Sequence, residues 1–322
     1  MANKITNTQH YQDIADAIRA KNGLATTYTP AQMAQAIEDI PSKNANLEAL
    51  LSGKASGDVT VSGVENLGFT KIALNGYNNT NPVTALHMPD LTSWYYSADS
   101  GGLVDAGNSV LQTLDLPLCT QLYIGRASGS ETTSVFTSLT ALIAPELRSF
   151  YGILRGSAVT SLNLPKMAFV GKANAFYGCT RLTSVNMPVL ASCKASMFQG
   201  CSALTQIILP KMVIGYSYVF ADCTSLDLVD LGGNGGTIGT GTFRSCPLTA
   251  LVLRSSTVVT LSNTNAFQNS NIESGTGYIY VPRDLITSYE AASNWSTFAG
   301  QFRALEDYTD DGTTTGEFIM PT

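Results

Sequence analysis

Six cysteines are the first residues in this chain that could do chemistry, and four of them recur at a regular spacing: Cys179, Cys201, Cys223 and Cys246. Stacked coils about 4.8 Å apart would bring such thiols close enough for disulfides. No CxxC pair or nearby histidine completes a zinc site. A small buried hydrophobe suits the repeated position better, so we predict free, buried thiols. Cys119 and Cys193 lie elsewhere in the pattern and are predicted to be packing residues.

The remaining candidate catalytic groups form no recognisable constellation. His10 and His87 are far apart, and neither accompanies a nucleophile motif. The GGNGG run at 232–236 lacks the context of a phosphate loop and is predicted to be a tight bend. The acidic cluster at 306–311 lacks the alternating spacing of a calcium loop. We therefore expect no enzyme activity, no metal and no cofactor.

The cysteines belong to a repeat that runs through most of the chain. ANAFYGCTRLTSVNMPVL, starting at Ala173, recurs as ASMFQGCSALTQIILPKM from Ala195. A proline near the end of most units marks the register, at Pro89, Pro117, Pro145, Pro165, Pro188, Pro210 and Pro282. In two units the equivalent position is occupied by Gly232 and Arg254. A fixed period of this size indicates a solenoid whose units fold only by stacking.

Each unit predicts a short strand and a second apolar column. Apolar residues stand three and one positions before the proline, so both face the interior of a strand that the proline ends. The residues between them are predicted to point outward: His87, Asp115, Ile143, Asn163, Asn186, Ile208, Asp230, Val252 and Tyr280. The far wall is predicted to be filled by Phe176, Phe198, Phe220, Phe243 and Phe267. The expected fold is a β-rich solenoid of stacked parallel strands.

Tyrosines recur just beyond the proline of several units. The residues six positions after the proline are Tyr95, Tyr123, Tyr151, Gly171, Lys194 and Tyr216. Each follows a residue that is predicted to face inward, such as Trp94, so the alternation of a strand predicts that these residues point outward. Stacked tyrosines form a flat amphipathic face suited to glycans or protein. The predicted ligand-binding set is Tyr95, Tyr123, Tyr151 and Tyr216 with Trp94, Tyr96 and Tyr218. The alternative is that tyrosine simply favours strands.

The repeat resembles a known family. The pattern F-x-x-C-x-x-L-x-x-[IVL]-x-[LM]-P is similar to the BspA-type leucine-rich repeats of bacterial surface and phage proteins. It occurs here as FYGCTRLTSVNMP, FQGCSALTQIILP and FADCTSLDLVDLG. Residues 9–41 resemble a small module at the start of tail-associated proteins in phages of Gram-positive gut bacteria. Together these likenesses imply a leucine-rich repeat solenoid with a recognition role.

The same sequence patterns divide the chain into five parts. Residues 1–42 are a helical attachment or oligomerisation module, with an inert N-terminal cap as the alternative. Residues 43–63 are a short helix and linker, in which Val59-Thr60-Val61 is a weak extra strand. The solenoid spans 64–282, and a helical cap at 283–307 covers its open end. Residues 308–322 are expected to be a polar, flexible tail.

Composition limits the partners. The 322 residues carry a net charge of −6, with no Lys/Arg run longer than two, so we expect no nucleic-acid binding. No apolar segment reaches 18 residues, so no membrane insertion is expected. The N-terminus lacks the pattern of a secretion signal, which predicts synthesis and folding in the cytoplasm.

These observations favour a non-enzymatic phage tail-fibre or receptor-binding protein that is located in the virion. Its expected partners are a bacterial surface glycan or protein, and other tail proteins through the N-terminal module. Phage fibres are commonly homotrimers, and that module is a candidate trimerisation element. The first alternative is a bacterial cell-surface or secreted leucine-rich repeat adhesin, and the second is a surface-polysaccharide depolymerase, for which paired carboxylates would be needed.

Overall fold

The computed structural model describes residues 45–51, 54–65, 82–94, 110–124 and 136–321. The predicted module at 1–42, together with Tyr95 and Tyr96, lies outside these residues. Within the described ranges, no helix has the length and apolar character needed to cross a membrane. The chain from Asn46 onward forms one compact unit.

Short parallel strands dominate the secondary structure. They are β1 (Gly57–Thr60), β2 (Val83–His87), β3 (Ser93–Trp94), β4 (Thr113–Asp115), β5 (Gln121–Leu122), β6 (Ala141–Ile143), β7 (Ser149–Phe150), β8 (Ser161–Asn163), β9 (Phe169–Val170), β10 (Ser184–Asn186), β11 (Gln206–Leu209), β12 (Leu228–Leu231), β13 (Thr237–Ile238), β14 (Ala250–Leu253), β15 (Thr260–Leu261), β16 (Tyr278–Val281) and β17 (Phe302–Ala304). The helices are α1 (Ala45–Leu51), α2 (Asn271–Ser274) and α3 (Ile286–Ala291), with 3₁₀ turns at Thr264–Phe267, Arg283–Leu285, Trp295–Gln301 and Leu305–Tyr308.

The first wall of the solenoid contains the strands that precede each proline. Its strands pair in parallel and in chain order, as β1-β2-β4-β6, β8-β10 and β11-β12-β14-β16-β17. Equivalent apolar residues are partners in the ladder, for example Ile207 with Val229 and Val229 with Leu251. The parallel-strand solenoid predicted from the repeat is therefore confirmed, and β1 confirms the weak extra strand at Val59.

The second wall follows the turn after each proline. There β3, β5, β7 and β9 pair in parallel, which aligns Trp94, Leu122, Phe150 and Val170 as one inward column. A bridge between Ser192 and Val213 continues this wall, and β13 and β15 pair further along it. The predicted bend at 232–236 lies in between, where Gly236 has a φ of +96°, a conformation that glycine tolerates best.

The third wall consists of turns that carry the phenylalanine column. Phe176, Phe198, Phe220, Phe243 and Phe267 are all fully buried. Successive rings stack with centroids 5.4–5.8 Å apart. Backbone hydrogen bonds also join neighbouring coils, such as the Phe198 N–H to the Val219 carbonyl at 2.9 Å. Each coil therefore completes the core of the next, as the repeat predicts.

The C-terminal end of the solenoid is closed by a mixed segment. The buried rings of Trp295 and Phe298 pack against Phe267, the last ring of the column. The predicted helical cap contains only one turn and a half of α-helix in α3, and its last residues form β17, which pairs with β16. The cap therefore extends the first sheet by one strand as well as covering the core.

Residues 305–320 fold back over the outer face of the first wall. Phe318 packs against Tyr280 with centroids 4.7 Å apart, and the Arg254 guanidinium donates to the carbonyls of Thr314 and Gly316. The flexible tail expected from Tyr308 onward is therefore wrong. Asp230, Val252 and Tyr280 point outward from the first wall as predicted, but the tail covers them, so they are at most 3% exposed.

Candidate binding surface

The second wall carries a continuous row of side chains on its outer side. We call Tyr123, Tyr151, Phe169, Lys194 and Tyr216 the aromatic strip. The Tyr123 and Tyr151 rings stack with centroids 4.2 Å apart and an interplanar angle of 11°. The Tyr151 ring contacts Phe169 at 5.2 Å in a tilted arrangement. Three tyrosines of the predicted binding set, Tyr123, Tyr151 and Tyr216, thus lie in one row with Lys194, which was predicted to point outward beside them.

A glycine explains how the strip is packed. Gly171 occupies the next position after Tyr151 in the row, and a Cβ atom there would collide with the Tyr151 ring. The absence of a side chain lets this ring lie against the backbone of the following coil. Tyr151 is therefore covered on one face by Tyr123 and on the other by Gly171. Both tyrosines are half-buried, and because the two faces of the Tyr151 ring are covered, its edge is the part left open to a partner.

Lys194 provides the positive charge of the strip. Its Nζ lies 5.1 Å from the centre of the Tyr216 ring and 5.9 Å from that of Phe169, and it donates to the Tyr216 hydroxyl at 3.2 Å. Cations are attracted to aromatic faces at such distances. Tyr216 is 41% exposed, so this end of the strip is open to solvent.

Two residues of the predicted binding set do not join the strip. Trp94 is 1% exposed and belongs to the core column of the second wall, so its assignment to the binding set is wrong. Alternation had already pointed it inward. Tyr218 lies on the third wall, where its ring packs over Gly241 and the Arg244 guanidinium lies 5.3 Å from its centre. Tyr95 and Tyr96 lie outside the described residues.

Phe169 is the member of the strip that sequence reasoning missed. It aligns with Ser149, a polar position, so the repeat gave no reason to select it. The glycine two residues later could have indicated an aromatic contact at this position. Where Gly171 leaves the outward position empty, an aromatic side chain two residues earlier fills the adjacent space.

The four repeated cysteines form a buried ladder. Each thiol donates to a carbonyl of the preceding coil, as Cys223 does to Phe198 at 3.1 Å and Cys246 to Phe220 at 3.0 Å. Burial raises the pKa of Cys223 from 9.0 to about 12, and that of Cys119 to about 11. All six cysteines are free and buried, which confirms the prediction of packing thiols.

A second polar row lies on the third wall. Asp222 accepts hydrogen bonds from Gln199 at 3.0 Å and from Arg244 at 2.6 Å. Burial acts to raise the pKa of Asp222, but these hydrogen bonds outweigh it and lower the pKa. The Arg155 guanidinium lies 3.8 Å above the Tyr177 ring. The charged groups of this row are engaged with their neighbours, which suits a role in joining coils.

A cleft of about 670 Å³ lies between the first wall and the C-terminal tail. Its lining includes Ile208, Lys211 and Phe318, and it ends at Arg254. The guanidinium donates to both Asp230 oxygens at 2.7 Å and to the two tail carbonyls, so its hydrogen-bonding capacity is used within the protein. This charge pair anchors the tail.

The fold and these surfaces define a leucine-rich repeat solenoid. Residues 151–273 match the family model of the BspA type leucine rich repeat region, in six copies. This part of the chain is therefore similar to the BspA-type leucine-rich repeat family, in agreement with the resemblance drawn from the cysteine and phenylalanine pattern. No curated protein matches the sequence significantly.

Two solved structures are similar at low identity. A leucine-rich repeat protein from Bacteroides ovatus is 16% identical, with 68% of this chain and 59% of that chain covered and a TM-score of 0.46. A leucine rich cell surface protein from Faecalibacterium prausnitzii is 14% identical, with 70% and 84% covered and a TM-score of 0.29. This chain thus aligns with little more than half of the Bacteroides protein.

Proposed function

We propose that this protein is a non-enzymatic recognition protein that contacts a bacterial surface through the aromatic strip. The observation that supports this most directly is the row formed on the outer side of the second wall by Tyr123, Tyr151 and Lys194, all of them only partly buried. Tyrosine is well suited to recognition because it provides a large contact area and a polar hydroxyl at low cost in conformational entropy.

Two settings agree with such a role. We favour a bacterial cell-surface adhesin, because the BspA-type repeats of residues 151–273 are the feature supported by the family comparison. A phage tail-fibre or receptor-binding component is the second setting, and it depends on the resemblance of residues 9–41. Antibody detection of the chain in cell-wall extracts would favour the adhesin, whereas detection in purified virions would favour the tail protein.

The role of the strip can be tested with labelled protein and intact gut bacterial cells. The double variant Tyr123→Ser/Tyr151→Ser is expected to lose most of its cell binding, because it removes the stacked pair. The variant Tyr123→Phe/Tyr151→Phe keeps the rings and removes only the hydroxyl groups, so it measures the contribution of the exposed polar edge. Binding is compared at equal folded fraction, determined by circular dichroism.

A matched control lies on the third wall. Tyr177→Ser removes a tyrosine that is half-buried beneath Arg155, away from the strip. It should leave cell binding unchanged. Equal binding by the wild type and the Tyr123→Ser/Tyr151→Ser variant would contradict the assignment of the strip, and release of reducing ends from capsular polysaccharide would contradict the non-enzymatic role.

A further inference from the structure

The charge of this acidic protein is unevenly distributed along the solenoid. Residues 136–221 contain seven Lys and Arg residues but a single carboxylate, Glu146, which amounts to +6. The rest of the chain contains eleven cations and 23 carboxylates, or −12. No Lys/Arg run is visible in the sequence because successive cations of this region are 6 to 17 residues apart. Stacking brings residues one repeat apart into neighbouring coils.

Three of the seven cations flank or belong to the aromatic strip on the second wall: Arg148, Lys172 and Lys194. Lys166 and Lys211 directly follow the prolines of their units, in the turn that leads from the first wall into the second. Arg148 directly precedes β7, and its carbonyl accepts from the Phe169 N–H of the strip at 3.1 Å. Lys172 directly follows Gly171, against which Tyr151 packs. Lys211 stands two residues before Val213, the partner of Ser192 in the wall.

Most of this charge is available to a partner. Lys166 pairs with Glu146 at 2.6 Å, and both side chains are partly exposed. Arg148, Lys172 and Lys211 are exposed, and Lys194 contacts aromatic rings without a carboxylate partner among the described residues. The face therefore combines ammonium groups with phenol hydroxyl groups, spaced along the direction in which the coils stack.

We propose that this face binds an acidic polysaccharide that runs along the solenoid axis. The proposal rests on the proposed function and specifies its ligand class. Carboxylate or phosphodiester groups of the polymer would pair with the lysines and Arg148, while sugar hydroxyl groups would hydrogen-bond to the exposed edge of the strip. Because the coils repeat, a polymer with regularly spaced charges can engage several cations at once, which multiplies weak individual contacts.

The test measures binding of the full chain to three polymers of similar length: polygalacturonate, poly(glycerol phosphate) and neutral dextran. We expect binding to at least one acidic polymer, little binding to dextran, and weaker binding as NaCl is raised. The polymer bound more tightly identifies the acidic group. The variant Lys172→Gln/Lys194→Gln should weaken this binding by about fivefold or more, since each exposed charge pair contributes modestly.

The variant Lys54→Gln/Arg181→Gln is the matched control, because it removes the same charge from exposed positions away from the second wall. It should weaken binding by less than about twofold. Equal loss in both variants, equal binding of dextran, or equally tight binding of duplex DNA would overturn the proposal. If cells are bound but neither acidic polymer is, the ligand class is wrong and the recognition role stands, whereas absence of cell binding contradicts the recognition role itself.

Discussion

The interior of the third wall and the exterior of the second wall follow different rules within the same coils. Inside, phenylalanine recurs in five coils and its rings stack at nearly constant distance. Outside, the equivalent positions are occupied by Tyr123, Tyr151, Gly171, Lys194 and Tyr216. An interior position has the same neighbours in every coil, so one residue type suits all of them. An exterior position faces solvent, so its residues can differ and can serve recognition.

The largest expected effect comes from breaking the interior column. Phe220→Ala removes a fully buried ring from the middle of the stack and should lower the free energy of unfolding by about 3–5 kcal/mol. Urea denaturation followed by circular dichroism measures this. Tyr216→Ala, on the exterior, should change stability by less than about 0.5 kcal/mol. Similar losses for the two variants would show that the two regions do not differ as described.

The next effect concerns the tail that covers part of the first wall. Arg254→Ala leaves Asp230 buried without its partner and should cost about 3 kcal/mol, near the lower limit for breaking a buried ion pair. It should also release the tail, which limited proteolysis near Thr314 would detect. Full protection of the tail in this variant would contradict the anchoring role of Arg254.

A smaller effect depends on pH and on the buried thiols. The Cys223 pKa is raised by burial from 9.0 to about 12, so the folded state holds its proton more tightly than the unfolded state. The resulting stabilisation is complete below pH 9 and is lost as the pH rises towards 12. Relative to Cys223→Ala, the wild type should lose up to about 1.4 kcal/mol per pH unit above pH 9. Parallel pH profiles of the two proteins would contradict this.

The smallest effect tests the packing of the strip itself. Gly171→Ala places a methyl group where the Tyr151 ring lies, so the ring must move away from Tyr123. Loss of this stacking should cost about 0.5–1.5 kcal/mol and reduce cell binding. Near-ultraviolet circular dichroism reports the change in tyrosine environment. Gly215→Ala is the control, because a Cβ there meets open space.

Much of the fold could be predicted because the repeat samples each structural position several times. The repeated phenylalanines and cysteines occupy the interior as expected. So do the apolar residues on either side of the outward position of each strand, although Val185 is only partly buried. The parallel pairing follows from their register. The binding strip was predicted only in part. Tyr151 was recognised from alternation, but the orientation of its ring depends on Gly171 in the next coil.

The C-terminal region shows why local patterns fail at the ends of a repeat array. Alternation correctly pointed Val252 and Tyr280 outward but did not show that they are covered, and composition made the segment after Tyr308 appear flexible. Both inferences missed the same contact, because the tail covers the outer face of these strands. A local pattern does not report packing by a segment that is some 40 to 60 residues away.

The sequence alone determined the period, the identity of the interior columns and the parallel register, because these follow from which side chains must leave water in every coil. The tertiary structure determined which side chains lie together on the exterior of the solenoid. It stacks Tyr123 on Tyr151, packs the tail against Tyr280, and brings cations from separate repeats into neighbouring coils. These contacts join residues from different coils, and their geometry exists only once the coils are stacked.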